Sequence, residues 1–216
     1  MERVALIFDL DGTLWDSSSQ VAESWSEVGR KYFGPSFSIT APEVRAQMGL
    51  MMEEIQKNIA RSSPDYQKGL LWAKESFDYE IEYLRAHPGE KFPDEEQTLL
   101  ELKNRGYILL IMSNCQKGYI EDYLASLKTP GLFSGHLCYG DTLLPKHGSI
   151  ARLMKDFRID RAAYVGDTAS DEKQTRLAGL KFIHASYGFG SASSPDATLK
   201  RFSDMLEAAR EVLPMK

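Results

Sequence analysis

Apolar residues along this chain gather in short runs that stop abruptly at polar ones. Val4-Ala5-Leu6-Ile7-Phe8 ends at Asp9-Leu10-Asp11-Gly12-Thr13. The same shape returns at 107–112 before Ser113-Asn114, at 162–165 before Gly166-Asp167, and at 180–184 before Ala185-Ser186. Runs this short, apolar at successive positions, suit strands buried on both faces, as in a parallel sheet. A weaker strand is expected over 136–139. Helical stretches fall between them, at 94–105, 149–157, 170–178 and 204–212. In the first of these Leu99, Leu100 and Leu102 are expected on one side, with Gly106 as the stop. Strand-helix alternation with short links predicts an α/β fold, a doubly wound parallel sheet.

Residues 17–87 break this rhythm, with no buried-strand run. Ser17 is placed to cap a helix through Val21, Trp25, Val28 and Tyr32, which Gly34-Pro35 ends. Further helices are expected over 51–61 and 65–85. Pro88-Gly89 and Pro93 then punctuate the return to the α/β pattern. The expected organisation is a Rossmann-like core of residues 1–16 and 88–216 with a helical insert, 17–87, hinged near 14–17 and 87–93. Trp25, Trp72, Tyr79 and Tyr83 are expected to pack the insert's helices.

Composition narrows the function classes. The chain has 216 residues, 43% hydrophobic and 26% charged, the profile of an ordinary globular protein. No apolar run reaches the ~18–20 residues needed to span a bilayer. The first residues lack the long apolar region of a secretion signal, so a cytoplasmic location is expected. A net charge of -5 argues against nucleic-acid binding, which wants a basic face. Cys115 and Cys138 are too few for a disulfide framework or a cysteine zinc site. The four histidines show no ligand-like spacing.

The candidate chemistry lies just past the strands. Open parallel sheets bind ligands beyond the carboxyl ends of their strands. The residues there are Asp9 and Asp11, Ser113 and Asn114, Asp167 and Asp171, and Lys146 in a loop. Several acids on one spot repel one another unless a cation sits among them. Oxygen ligands without His or Cys suit a hard ion, magnesium first. A carboxylate beside such an ion can attack phosphorus. Asp11, two residues on, could serve as general acid and base if Gly12 turns the chain. Asp9 is expected to sit exposed at the crevice. Ser113-Asn114 is also read as a helix N-cap, and Asp167 and Asp171 as acids that cap the next helix and favour its dipole. Cys115 is expected to be a small buried residue.

Asp9-Leu10-Asp11-Gly12-Thr13-Leu14 resembles the first motif of the haloacid dehalogenase-like hydrolase superfamily. Ser113-Asn114 resembles the second, Lys146 the third, and Gly166-Asp167-Thr168-Ala169-Ser170-Asp171 the fourth, in the family's order. The insert after the first motif resembles the C1-type helical cap of the phosphoglycolate phosphatase-like branch. The stretch 182–190 is also similar to that branch. The resemblance implies Asp9 as nucleophile and metal ligand, and Asp11 as general acid and base with its carbonyl on the metal. It implies Ser113, the backbone of Asn114 and Lys146 on the phosphoryl oxygens, with Lys146 also restraining Asp9. Asp167 would bind magnesium, with Asp171 as a ligand or acting through water. Thr13 would assist phosphate binding or hold the loop. Residues 44–50 match the position of the branch's specificity loop, which makes Arg45 a candidate substrate contact. The third motif departs from the common Lys-Pro order, reading Leu144-Pro145-Lys146-His147.

The implied function is a magnesium-dependent phosphatase acting on a small phosphorylated metabolite, phosphoglycolate-like or a sugar phosphate, as a monomer or homodimer. The alternatives are a phosphomutase of the same superfamily, a pyrophosphatase or nucleotidase, and a silent binding protein. Dehalogenation is disfavoured by Asp11 and Asp167.

Overall fold

The computed structural model describes residues 2–215. Strand β1 (Val4–Phe8) runs to the short β2 (Trp15–Asp16) through one tight turn. Four helices follow: α1 (Ser18–Phe33), α2 (Ala41–Arg45), α3 (Met52–Ser62) and α4 (Tyr66–Ala86). β3 (Glu90–Lys91) then pairs antiparallel with β2, Trp15 opposite Lys91 and Asp16 opposite Glu90. The chain therefore enters and leaves the four helices through neighbouring strands.

The remainder alternates. It comprises α5 (Glu95–Asn104), β4 (Ile108–Ser113), α6 (Tyr119–Ser126), β5 (Gly135–Cys138), α7 (Tyr139–Thr142), α8 (Lys146–Asp156), β6 (Arg161–Gly166), α9 (Ala169–Leu177), β7 (Lys181–Ala185), β8 (Ala197–Leu199) and α10 (Met205–Val212). Six strands form one sheet in the order β5-β4-β1-β6-β7-β8. Every neighbouring pair in it is parallel. The chain winds outward from β1 through β4 and β5, returns to β6 on the other side of β1, and winds outward again. The direction reverses at β1 and β6, where an open α/β sheet has its crevice.

Alternation along β1 explains its unbroken apolar run. Val4, Leu6 and Phe8 join one core with α5, α6 and α10; Ala5 and Ile7 join a second core with Ile150 and Leu153 of α8. A strand covered on both faces has no wet side to mark with polar residues. The insert is held by its aromatics. Trp72 is fully buried and donates from Nε1 to the Trp25 carbonyl at 2.9 Å. Tyr79 is only half-buried and donates to Glu27 at 2.6 Å.

Several expectations are corrected. Leu100 is 41% exposed while Leu99 and Leu102 are fully buried, because the ~100° step per residue turns position 100 away from the sheet. Lys146 is not in a loop: it is the first residue of α8, with Pro145 before it setting the turn. Ser113-Asn114 does not cap a helix, since α6 begins five residues later, at Tyr119 behind Gly118. Ser17 occupies the N-cap position of α1 without a capping hydrogen bond, because its hydroxyl is used elsewhere.

Candidate active site at the strand ends

Asp9 follows β1 directly, and its N–H still donates to the Val165 carbonyl at 2.8 Å. Asp167 follows β6, one strand away. Asp171 lies in the first turn of α9, where Thr168 caps the helix and donates to its Oδ2 from N–H (3.1 Å) and hydroxyl (2.6 Å). Oxygens of Asp9, Asp167 and Asp171 lie within 4.8 Å of one another, and all three residues are buried. Asp9 is only 3% exposed, so the expectation of an exposed crevice charge is wrong. The covering groups are Lys146 and the surrounding loops.

Lys146, itself 3% exposed, reaches into this cluster from the start of α8. Its Nζ lies 3.0 Å from Asp9 Oδ1 and 2.5 Å from Asp171 Oδ1, above the ring of Tyr164. Burial alone would discharge the amine, but the carboxylates of Asp171 and Asp9 hold it protonated, well above its ordinary range. The acids respond in the opposite sense. Burial pushes Asp9 up to about 6, against the pull of Lys146. Burial, reinforced by Asp171 and Asp9, pushes Asp167 up to about 8.

Asp167 Oδ2 accepts from the Phe189 N–H at 2.7 Å, whereas its Oδ1 is buried with no partner. A buried carboxylate oxygen without a donor is costly. Three acids against one ammonium leave negative charge uncompensated. The donor set therefore fits a hard divalent cation lodged among Asp9, Asp167 and Asp171.

The loop after β1 needs its glycine. Gly12 has φ +74°, and a Cβ there would lie 2.3 Å from Asp167 Oδ2. The turn carries Asp11 away from the acidic cluster. Its Oδ1 accepts from Trp15 Nε1 (3.0 Å), Ser17 Oγ (2.7 Å) and Tyr119 OH (3.1 Å). Its Oδ2 has no hydrogen-bond partner among the described residues. Crowding by protein atoms lifts Asp11 to about 7, against the hydrogen bond from Ser17 and with help from the charge of Asp9. A carboxyl held by one oxygen and titrating near neutrality can give and take a proton.

Ser113, Asn114 and Asp11 line the floor of a cavity between the sheet and the insert. The insert is closed onto it. Asn114 Nδ2 donates to the Gly49 carbonyl at 3.0 Å, Gln116 Nε2 to the Phe77 carbonyl at 3.2 Å, and Tyr139 to Glu53 at 2.9 Å. Thr13 is fully buried, its hydroxyl unpartnered and its carbonyl accepting from Tyr187 at 2.8 Å. Arg45 does not line this cavity. Its NH2 pairs with Asp16 at 2.7 Å, its Nε donates to Ser18 at 2.9 Å, and its guanidinium lies over the ring of Phe189.

Sequence reasoning missed the residues that hold Asp11 and wall the cavity: Ser17, Tyr119, Gln116 and Glu80. Ser17 was visible as a helix start, but nothing in the pattern distinguished a hydroxyl aimed at Asp11 from one aimed at its own helix. Cys115 is buried as expected, and it also lines the cavity.

Residues 6–185 match the sequence profile of the haloacid dehalogenase-like hydrolase family. The chain belongs to that family. The resemblance to its phosphoglycolate phosphatase-like branch stands, and the chain is an enzyme of the phosphatase kind. It is 28% identical to a phosphoglycolate phosphatase of Aquifex aeolicus over 213 residues, covering 94% of each chain. It is 29% identical to one of Photorhabdus laumondii, covering 94% of this chain and 90% of that one. The fold matches the crystal structure of a predicted phosphoglycolate phosphatase from Haemophilus somnus, with a TM-score of 0.82 at 21% identity, over 96% of this chain and 98% of the other. No helix among the described residues is long and apolar enough to cross a membrane.

Cation binding should depend on pH in a definite sense. Asp9 and Asp167 have folded-state values above the ~4 of an unfolded Asp. Their contribution to stability is fully present below that value and is lost as pH rises through about 6 and about 8. A divalent cation bound among them would take the place of the protons. The expected result is a magnesium-induced rise in Tm that is larger at pH 8 than at pH 5.5, read by thermal melts with and without EDTA. An equal rise at both values would separate the cation from these acids.

Proposed function

We propose that this protein is a magnesium-dependent phosphatase that cleaves a small phosphorylated metabolite through a phosphoryl group carried on Asp9. The helices of residues 17–87 act as a cap over the site. The supporting observation is the buried cluster of Asp9, Lys146, Asp167 and Asp171, with an orphaned Asp167 oxygen, opposite an Asp11 whose Oδ2 is free. Asp9, Asp167 and the carbonyl of Asp11 would hold the ion, with Asp171 beside them or acting through water. Bound there, magnesium would offset the repulsion between carboxylate and phosphate.

The carboxylate oxygen of Asp9 not held by Lys146 attacks phosphorus. An O–P bond forms as the bond to the leaving oxygen breaks, and Asp11 gives that oxygen its proton. Ser113, the backbone of Asn114 and Lys146 spread the charge on the phosphoryl oxygens, and Thr13 braces the loop or adds its hydroxyl. Asp11, now ionised, takes a proton from water as the water attacks phosphorus. Inorganic phosphate leaves and Asp9 is regenerated.

The test is hydrolysis of p-nitrophenyl phosphate. Turnover is expected with magnesium and none with excess EDTA; undiminished turnover in EDTA would overturn the mechanism. Asp11→Asn should cost about 10²–10⁴-fold in kcat on an alkyl phosphate and less on the nitrophenyl ester, whose leaving group needs no proton. Equal losses on both would remove Asp11 from the acid role.

A phosphomutase, pyrophosphatase or nucleotidase must hold a second phosphate or a phosphorylated leaving group. No Arg, Lys or His is among the residues lining the cavity under the cap, which favours simple monoester hydrolysis.

A further inference from the structure

The cavity that would receive the leaving group has an unusual wall for an enzyme of anionic substrates. Its cap side is mostly apolar, with Val44, Met48, Leu50, Met52, Ile55 and Phe77, and Gln47, whose side-chain oxygen already accepts from Asn58, is its one amide. Its ionisable groups are acids: Asp11 on the floor and Glu80 of α4 on the wall, with the phenol of Tyr119 and the thiol of Cys115 between them. Both oxygens of Glu80 are already engaged. Oε2 accepts from Trp25 Nε1 at 2.5 Å, and Oε1 accepts from Gln116 Nε2. Burial lifts Glu80 to about 8, so near neutrality it is mostly uncharged. Arg45, the one basic residue of 44–50, is committed to Asp16 and Ser18 and does not line the cavity.

A carboxylate entering this space would lose its water and find no cation. An ammonium would find no free carboxylate oxygen on Glu80, and the free Oδ2 of Asp11 carries the proton meant for the leaving oxygen. An uncharged hydrocarbon face would bury against the six apolar side chains and leave the polar floor undisturbed. We infer that the substrate is a phosphate monoester whose leaving alcohol is uncharged and turns an apolar face to the cap, so that phosphoglycolate is a poor substrate for this chain. This rests on the phosphatase reading above and narrows it.

The intact protein with magnesium is assayed on n-propyl phosphate, phosphoglycolate and phosphoethanolamine, which are close in size, with p-nitrophenyl phosphate as reference. The kcat/KM for the propyl ester should exceed that for phosphoglycolate about 100-fold or more, and that for phosphoethanolamine about tenfold or more. Phosphoglycolate or phosphoethanolamine matching or beating the propyl ester, while the nitrophenyl ester is turned over, overturns this inference and leaves the phosphatase reading standing. No hydrolysis of any ester, the nitrophenyl one included, overturns both. Leu50 lines the cavity and lies outside the buried cores, so Leu50→Arg adds a cation without emptying a core position. It should move the ratio of phosphoglycolate to propyl phosphate turnover about tenfold or more toward phosphoglycolate. An unmoved ratio overturns the view that the missing cation sets selectivity.

Discussion

Asp9→Asn is expected to lower kcat about 10⁴-fold or more while the protein stays folded. The amide is a poor nucleophile and cannot hand a phosphoryl group on to water as a carboxylate does. The folding half of this expectation does not come from exposure, since Asp9 is buried. It comes from the ion-pair arithmetic. Asp9 is already lifted to about 6 by burial, so ionising it costs free energy in the folded state. Asn keeps an oxygen for Lys146, and Asp171 still neutralises the ammonium at 2.5 Å. Single-turnover assays with labelled substrate should show no phosphorylated protein, and melts in EDTA should match the parent within a few degrees. Retained phosphoryl transfer to the chain would place the nucleophile elsewhere.

Lys146→Met is expected to have the largest effect on stability. Met keeps the apolar stem in its place beside Tyr164 and deletes only the charge. Asp9, Asp167 and Asp171 then face one another without a protein cation. Breaking a buried pair by removing one partner costs about 3–5 kcal/mol. For a chain of this length that corresponds to a fall in Tm of roughly 6–20 °C. Magnesium should recover more of the loss in the variant than it adds to the parent, because the ion becomes the cluster's sole positive charge. Activity should fall about 10²–10³-fold even with magnesium, through the lost contact to the phosphoryl oxygens. An unchanged melt in EDTA would mean that the three acids are discharged without Lys146.

The strands and the acids at their ends were legible because a parallel sheet writes both into the chain. Residues 4–8 and 162–165 are apolar at every step because they are covered on both faces, and the first polar residues mark the carboxyl ends of the strands. Short elements were not legible. β2 and β3 have two residues each and β8 has three, too few for any period. The 41–45 helix begins Ala-Pro-Glu, which looks as much like a turn as a first helical turn. Lys146 is the first residue of a helix behind Pro145, a start that sequence pattern does not separate from a loop. The candidate cluster was found by residue type. Its support was not, because Ser17, Glu80, Gln116 and Tyr119 act through tertiary contacts that span 6 to 108 positions. Arg45 shows the same limit from the other side: an arginine that the sequence offers as a substrate contact lies at the end of α2 and pairs with Asp16.

The pairing of Trp15-Asp16 with Glu90-Lys91 sets a boundary condition on change. Because the two crossings lie side by side, the sheet meets the same short gap whatever is strung across it. Helices could be lengthened, trimmed or replaced between those two points without altering the strand register below. The lining of the enclosed space could then change while the acids at the strand tips keep their places, so long as Ser17 still reaches Asp11.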